Sequence, residues 1–433
     1  MSRLLRIALT AFVIDAGVTP AGAQTPTPPA QTAAAAGRLR VYLDCFHCFP
    51  DYVRDEIKWA DFVRQPQDAD VHLLSSSQET GGGGRQVVLR FVGRGSFDGQ
   101  DYELRVVTLP ADADETRRRA VFQTVVVGLL HYMARSGLPA GLNVEVEAPE
   151  TGGAGAAEQR SDPWNLWVFE VSGRGSYQEE ESQSERSWDL NFSADRVTEA
   201  WKLSFGIEAN QEIENFQFDP EEVDEGEPTE LESKSRNREG EFFIVKSLGP
   251  HWSAGVRGLA AASTFDNYKF RGQMAPAVEY SVFPYRDYAS QQLTFAYDIG
   301  FERVRYNELT IFDKLDETLY RHGLEARLDQ RQTWGTLQAG AEFQQYLHDL
   351  ALYRLEFDSE IDIRLARGLS VSFEGSASRI RDQVSLPRRT ASQEEVLLRL
   401  RQLRSGYEFS FSFGLSYTFG SVFNNIVNPR FGG

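Results

Sequence analysis

Cys45-Phe46-His47-Cys48 contains both cysteines of the chain, with two residues between them, where an apolar strand ends and a helix begins. Thiol oxidoreductases place a C-x-x-C pair at such a junction. In a secreted chain, two cysteines this close most simply form one local disulfide, and redox turnover or metal binding are the alternatives. Zinc is poorly served, because two thiolates and His47 leave a fourth ligand unfilled. Covalent haem attachment requires a histidine directly after the second cysteine, and Phe49 stands there. No cofactor or metal is expected.

A second set of chemistry-bearing residues is periodic. Between Tyr353 and Leu365, Tyr353, Leu355, Phe357, Ile361, Ile363 and Leu365 alternate with Arg354, Glu356, Asp358, Glu360, Asp362 and Arg364. A period of two is a strand with two unlike faces. The same phase assigns Glu170, Arg174, Asp189, Lys202, Glu208, Arg257, Asp298, Glu302, Glu325, Arg327 and Glu374 to the charged face of other strands. Both signs are abundant, so a salt-bridge network and a charged pore lining are both open readings. Hydrolysis has less support. His251, His322 and His348 are the imidazoles in this part of the chain, none is followed by the H-x-S-N-G pattern of outer-membrane phospholipases, and no G-x-S-x-G elbow occurs. Enzyme activity is not expected.

These side chains need long strands to carry them. In the last such strand, Tyr407, Phe409, Phe411, Phe413, Leu415, Tyr417 and Phe419 alternate with small or polar residues. At about 3.3 Å per residue it is roughly 40 Å long, enough to cross an outer membrane at a tilt of about 40°. A mean hydropathy of −0.41 leaves no apolar run for a spanning helix. A closed barrel accounts for both facts, with lipid against the apolar face and the polar face turned to the lumen. The expected fold is therefore mainly β: an antiparallel transmembrane barrel of about twelve strands behind a small α/β domain. The strands are expected at 165–178, 187–197, 201–216, 239–247, 251–265, 271–284, 291–306, 317–330, 335–347, 351–365, 369–382 and 406–420. Connections two, four, eight and ten are short and most others longer, so the even connections and both termini are assigned to the periplasm. Trp164, Trp201, Trp252 and Trp334 fall at that end of their strands, as an aromatic girdle would.

Residues 1–23 have the arginines, short apolar stretch and Ala21-Gly22-Ala23 site of a signal peptide, and 24–37 form a Pro/Thr/Ala leader. The α/β domain is assigned to 38–148, with strands at Leu39–Leu43, Asp70–Leu74, Gln86–Val92 and Tyr102–Leu109. Helices are expected over Pro50–Val63 and Thr116–Arg135, the latter capped by Asp112 or Asp114, and a further strand at Asn143–Glu147. A Gly/Ala-rich linker (149–162), the barrel (163–421) and a periplasmic tail (422–433) follow. The net charge of −18 concentrates in part between Glu221 and Glu232, in an external loop. So acidic a chain is no partner for nucleic acid. The expected partners are outer-membrane lipid and lipopolysaccharide, the barrel assembly machinery, and a periplasmic protein met by the front domain.

Phe283-Pro284-Tyr285 with Gln291 to Phe295, Ser378 to Gln383, Leu415 to Ser421 and Asn428-Pro429-Arg430-Phe431 look like a family of uncharacterised bacterial outer-membrane proteins. The similarity extends forward to Asp44-Cys45, Tyr52-Val53-Arg54 and Asp68 to His72. The resemblance implies an outer-membrane barrel with a periplasmic amino-terminal domain and carries no activity. That domain is also loosely similar, in element order, to the amino-terminal module of TolB. It does not follow the strand, helix, helix, strand, strand order of POTRA domains. The function expected in a Gram-negative outer membrane is a narrow pore or an anchor presenting a periplasmic binding domain. The alternatives are a hydrolase or a redox or partner-binding module held by the barrel.

Overall fold

A computed structural model describes residues 38–136, 162–217, 230–389 and 405–419. The expected signal peptide, leader, Asn143–Glu147 strand, carboxy-terminal tail, all but the last residue of the linker and the acidic run up to residue 229 lie outside the described residues.

The front domain runs β1 (Leu39–Asp44), α1 (Pro50–Glu56), β2 (Ala60–Phe62), β3 (Val71–Glu79), β4 (Arg85–Gly93), β5 (Tyr102–Thr108) and α2 (Asp114–Ser136). Its sheet has the order β2-β1-β3-β4-β5, parallel among the first three and antiparallel thereafter. Val121, Val125, Leu129 and Met133 recur four apart on α2, which makes one helix face apolar. They are buried with Val41, Leu73, Leu89 and Phe91 of the sheet.

Two local expectations are corrected. The helix from Pro50 stops at Glu56 because Ile57 is extended (φ −88°, ψ 98°). Ala60 and Phe62 then pair with β1 as an edge strand and bury their side chains. Asp112 does not cap α2 but accepts the Leu109 amide at 2.7 Å within the preceding turn, and Asp114 is already helical.

The second part is a single twelve-stranded antiparallel sheet in which every strand pairs with its neighbours in sequence. It comprises β6 (Trp167–Glu179), β7 (Gln183–Val197), β8 (Trp201–Gln217), β9 (Glu230–Ser247), β10 (Trp252–Ser263) and β11 (Tyr268–Ser281). It continues with β12 (Gln291–Tyr306), β13 (Asp316–Gln332), β14 (Gly335–Tyr346), β15 (Tyr353–Ala366), β16 (Leu369–Ile380) and β17 (Tyr407–Tyr417). The largest departure from expectation is β9, which starts nine residues early because Glu230–Arg238 continue the ladder with β8. Among the described residues, β6 and β17 are the sheet's two edges.

Gly128 sets how closely α2 approaches β4: a Cβ there would stand 2.0 Å from Cζ of Phe91, whose ring is fully buried. Alanine usually stabilises a helix by about 1 kcal/mol over glycine. Here the overpacking should outweigh that gain. We expect Gly128→Ala to destabilise the front domain by about 1–3 kcal/mol, measured by denaturant unfolding of the full chain.

Candidate functional site

Pairing registers decide which side chains share a face, since directly opposed residues point the same way. Arg174 opposes Asp189, Glu170 opposes Ser193, and Glu208 opposes Asn191 and Glu239. Lys202 opposes Val245, and Arg257 lies between Phe243 and Ala275. Asp298 opposes Gly323, two residues from Glu325, while Arg327 opposes Gly340 and Glu360 opposes Glu374. Followed strand by strand, these registers bring all the charged candidates to one face. That face is concave where Tyr268 and Arg271 of β11, Gln344 and Tyr346 of β14, and Arg354 and Glu356 of β15 line one cavity of about 350 Å³.

Its charges are not used alike. Arg271 grips Glu302 through two hydrogen bonds of 3.0 and 3.2 Å, with Glu302 fully buried. Arg354 pairs with Glu356 at 3.1 Å and Asp382 at 2.9 Å, and Arg327 with Glu325 at 3.2 Å. Glu325, Glu342 and Glu356 oppose one another across three strands, an arrangement of like charges that disfavours pairing unless cations or water intervene. Among the described residues no ion pair involves Asp358, Glu360, Asp362 or Glu374.

Arg364, the last inward charge of β15, reaches outside the sheet. Its Nη2 donates to Oδ1 of Asp44 on β1 at 2.5 Å, and its guanidinium lies 5.8 Å from the centre of the Tyr42 ring. The other carboxylate oxygen of Asp44 meets Nε2 of His72 at 2.9 Å, and the His72 ring packs edge-on against Tyr42. This is the centre of a seat. In the connection between β15 and β16, Arg367 pairs with Asp68 at 2.7 Å and the Gly368 amide donates to Gln65 at 2.8 Å. Arg331, next to last in β13, donates to the Ser75 carbonyl at 2.8 Å, and the Tyr288 hydroxyl, between β11 and β12, donates to Gln86. Gly81, at the tip of the β3–β4 hairpin, approaches Val197 so closely that a Cβ would stand 2.4 Å from the valine Cβ. Every contact comes from an even-numbered connection or its flanking residues. The front-domain face opposite α2 thus lies across that end of the sheet, which is why Leu74 and Val88, on that face, are buried.

Cys45 and Cys48 are joined as a disulfide, with Cys48 fully buried and Phe46 90% exposed between them. His47 donates or accepts a 3.0 Å hydrogen bond with Ser77 Oγ and lines a cavity of about 850 Å³ between α1, α2 and the β3–β4 hairpin. Burial, then the nearby Arg85 and Arg331, push the His47 pKa down. Trp164, Trp201, Trp252 and Trp334 all stand exposed at the even-connection end. Asp44, Gln65 and Asp68 carried no functional signal in the sequence, since each belongs to the seat only through a residue about 300–320 positions away, and His72 joins it through Asp44. No family model matches the chain, and no curated protein matches it.

The seat has a built-in acid sensitivity. His72 is fully buried, and its Nδ1 has no hydrogen-bond partner among the described residues. Its pKa is lowered from 6.5 chiefly by burial, against the pull of Asp44 and with Arg94 and Arg364 adding to the depression. A base with a depressed pKa binds fewer protons in place than when exposed, so seating weakens as pH falls below about 6.5. The Gly368 amide is protected by Gln65 while the domain is seated, so its hydrogen exchange relative to the intrinsic rate should accelerate from pH 7.5 to 5.5. His72→Gln should flatten that dependence. Arg364→Ala should weaken seating by about 1–3 kcal/mol, the scale of a lost hydrogen bond to a charged group, and accelerate the same amide at every pH.

Proposed function

We propose that this chain is a bacterial outer-membrane protein whose sheet closes into a twelve-stranded barrel by pairing β6 with β17. In this reading the barrel anchors the amino-terminal domain and holds it across the periplasmic mouth. The observation that carries the reading is the convex face. Phe295, Tyr297, Ile299 and Phe301 on β12, and Phe409, Phe411 and Phe413 on β17, are all exposed by 43% or more. A belt of large apolar side chains on this scale calls for an apolar surrounding. Lipid supplies one, and closure satisfies the backbone groups of the two edge strands that lipid would leave unpaired. The seat supports the anchor role, because a domain that the chain alone would only tether is fixed at the mouth by charged and backbone hydrogen bonds.

A second reading, a narrow pore preferring cations, is favoured by Asp358, Glu360 and Asp362 on the concave face, where fixed carboxylates would attract cations. Arg364 is engaged with Asp44 and does not neutralise them.

Cysteine accessibility tests the anchor reading. A cysteine at Leu350, between β14 and β15, should react with an impermeant reagent on intact cells, and one at Leu248, between β9 and β10, only after lysis. Reversed labelling would place the front domain outside. Closure is tested by oxidising a cysteine at Ser172 on β6 with one at Ser410, Ser412 or Gly414 on β17. One of the three pairs should crosslink in protein that shows heat-modifiable migration.

A further inference from the structure

The connection between β16 and β17 does not simply leave the sheet. From Arg381 it turns inward over the odd-connection end and lays Val384, Ser385 and Leu386, all nearly buried, against the strand ends. Val384 packs with Val304 of β12, Leu319 of β13 and Tyr346 of β14, inward residues of three successive strands. The backbone is bound as a strand would be. The Ile311 amide donates to the Leu386 carbonyl at 2.8 Å, the Arg388 amide to the Leu309 carbonyl at 2.7 Å, and Thr310 bridges Pro387.

Two polar fastenings hold the start of the segment. Asp382 receives Nε of Arg354 on both carboxylate oxygens, at 2.9 and 3.1 Å. Asn267 is buried in the left-handed region (φ 65°), where asparagine is tolerated better than most residues. Its amide nitrogen donates to the Ser385 carbonyl at 2.8 Å and to the Glu308 carbonyl at 3.1 Å, and its oxygen accepts the Glu308 amide at 2.7 Å. One side chain therefore ties together three connections.

We propose that residues 381–388 are a latch that narrows the lumen at the end opposite the seat, so that the lumen is closed at both ends and conducts only when both closures are released. This rests on the barrel reading above. Eight strands fill a barrel with their own side chains and sixteen leave a channel, so at twelve an inserted segment decides whether the bore is open. The two fastenings are separate, so removing Asp382 takes the paired carboxylate from Arg354, removing Asn267 takes the donor from the Ser385 carbonyl, and only loss of both frees the start of the segment.

Four proteins in planar bilayers test the latch: the native chain, a seat variant (Arg364→Ala with Arg367→Ala), a latch variant (Asp382→Asn with Asn267→Ala), and the combination. The native chain and each separate variant should show low conductance, and the combination at least tenfold more. A lock adds contacts instead of removing them: Thr310→Cys with Pro387→Cys, built into the seat variant and the combination, should return the latter to low conductance when oxidised and release it when reduced. Equal conductance of the seat variant and the combination, or a combination indifferent to the lock, would overturn the proposal. Heat-modifiable migration and the β6–β17 crosslink report barrel closure independently, so a failed barrel is distinguishable from a failed latch.

Discussion

The organisation of this protein depends on an uninterrupted ladder. Twelve strands pair only with their sequence neighbours, and the register shifts only near three strand ends, at Ala261/Ser263, Tyr268/Phe270 and Arg364/Ala366. With a side-chain period of two, one strand's phase then fixes that of all the others. Phe411, Phe357 and Ile299 share one face for the same reason that Glu374, Asp358 and Asp298 share the other. The register shifts are confined to the ends, where side chains are redirected into the seat or toward the latch.

Electrostatics divides the concave face along its length. Toward the odd connections charges are consumed internally: Arg271 with Glu302, Arg354 with Glu356 and Asp382. At the even connections they are exported to the front domain through Arg364, Arg367 and Arg331. Between them Asp358 and Glu360 border a cavity of about 380 Å³ with Glu374. Carboxylates packed this way retain their water or attract cations, since burying them unpaired costs several kcal/mol per charge.

The sheet was legible because alternation is a local signal that long strands repeat many times. The start of β12 at Gln291 and its end at Tyr306 coincide with the limits read from the sequence. The structure departs from the sequence pattern where pairing partners override it. Glu230–Arg238 is too charged to resemble a strand and is one only because β8 lies beside it. Ala60–Phe62 continues an apolar helical pattern, but its three residues gain more by pairing with β1. In the front domain the α2 face was readable from Val121, Val125, Leu129 and Met133. The seat was not, because Asp44, Gln65 and Asp68 are ordinary polar residues on a small domain until the distant turns meet them. Asn267 and Asp382 were hidden similarly: neither carries a motif, and their significance lies in which loop each faces.

The distance along the chain between the members of the seat imposes an order on assembly. The front domain's sheet is complete by Thr108 and its helical core by Met133, all from contacts among its own residues. Its partners on the turns extend from Val197 to Gly368, and Asp44 waits for a residue 320 positions later. Docking is therefore the most non-local contact of the front domain. A one-residue slip of β15 would turn Arg364 to the opposite face and leave Asp44 without its cation. The seat thus forms only on a sheet whose strands are in register, since it draws its cations from the turns and strand ends that registration sets.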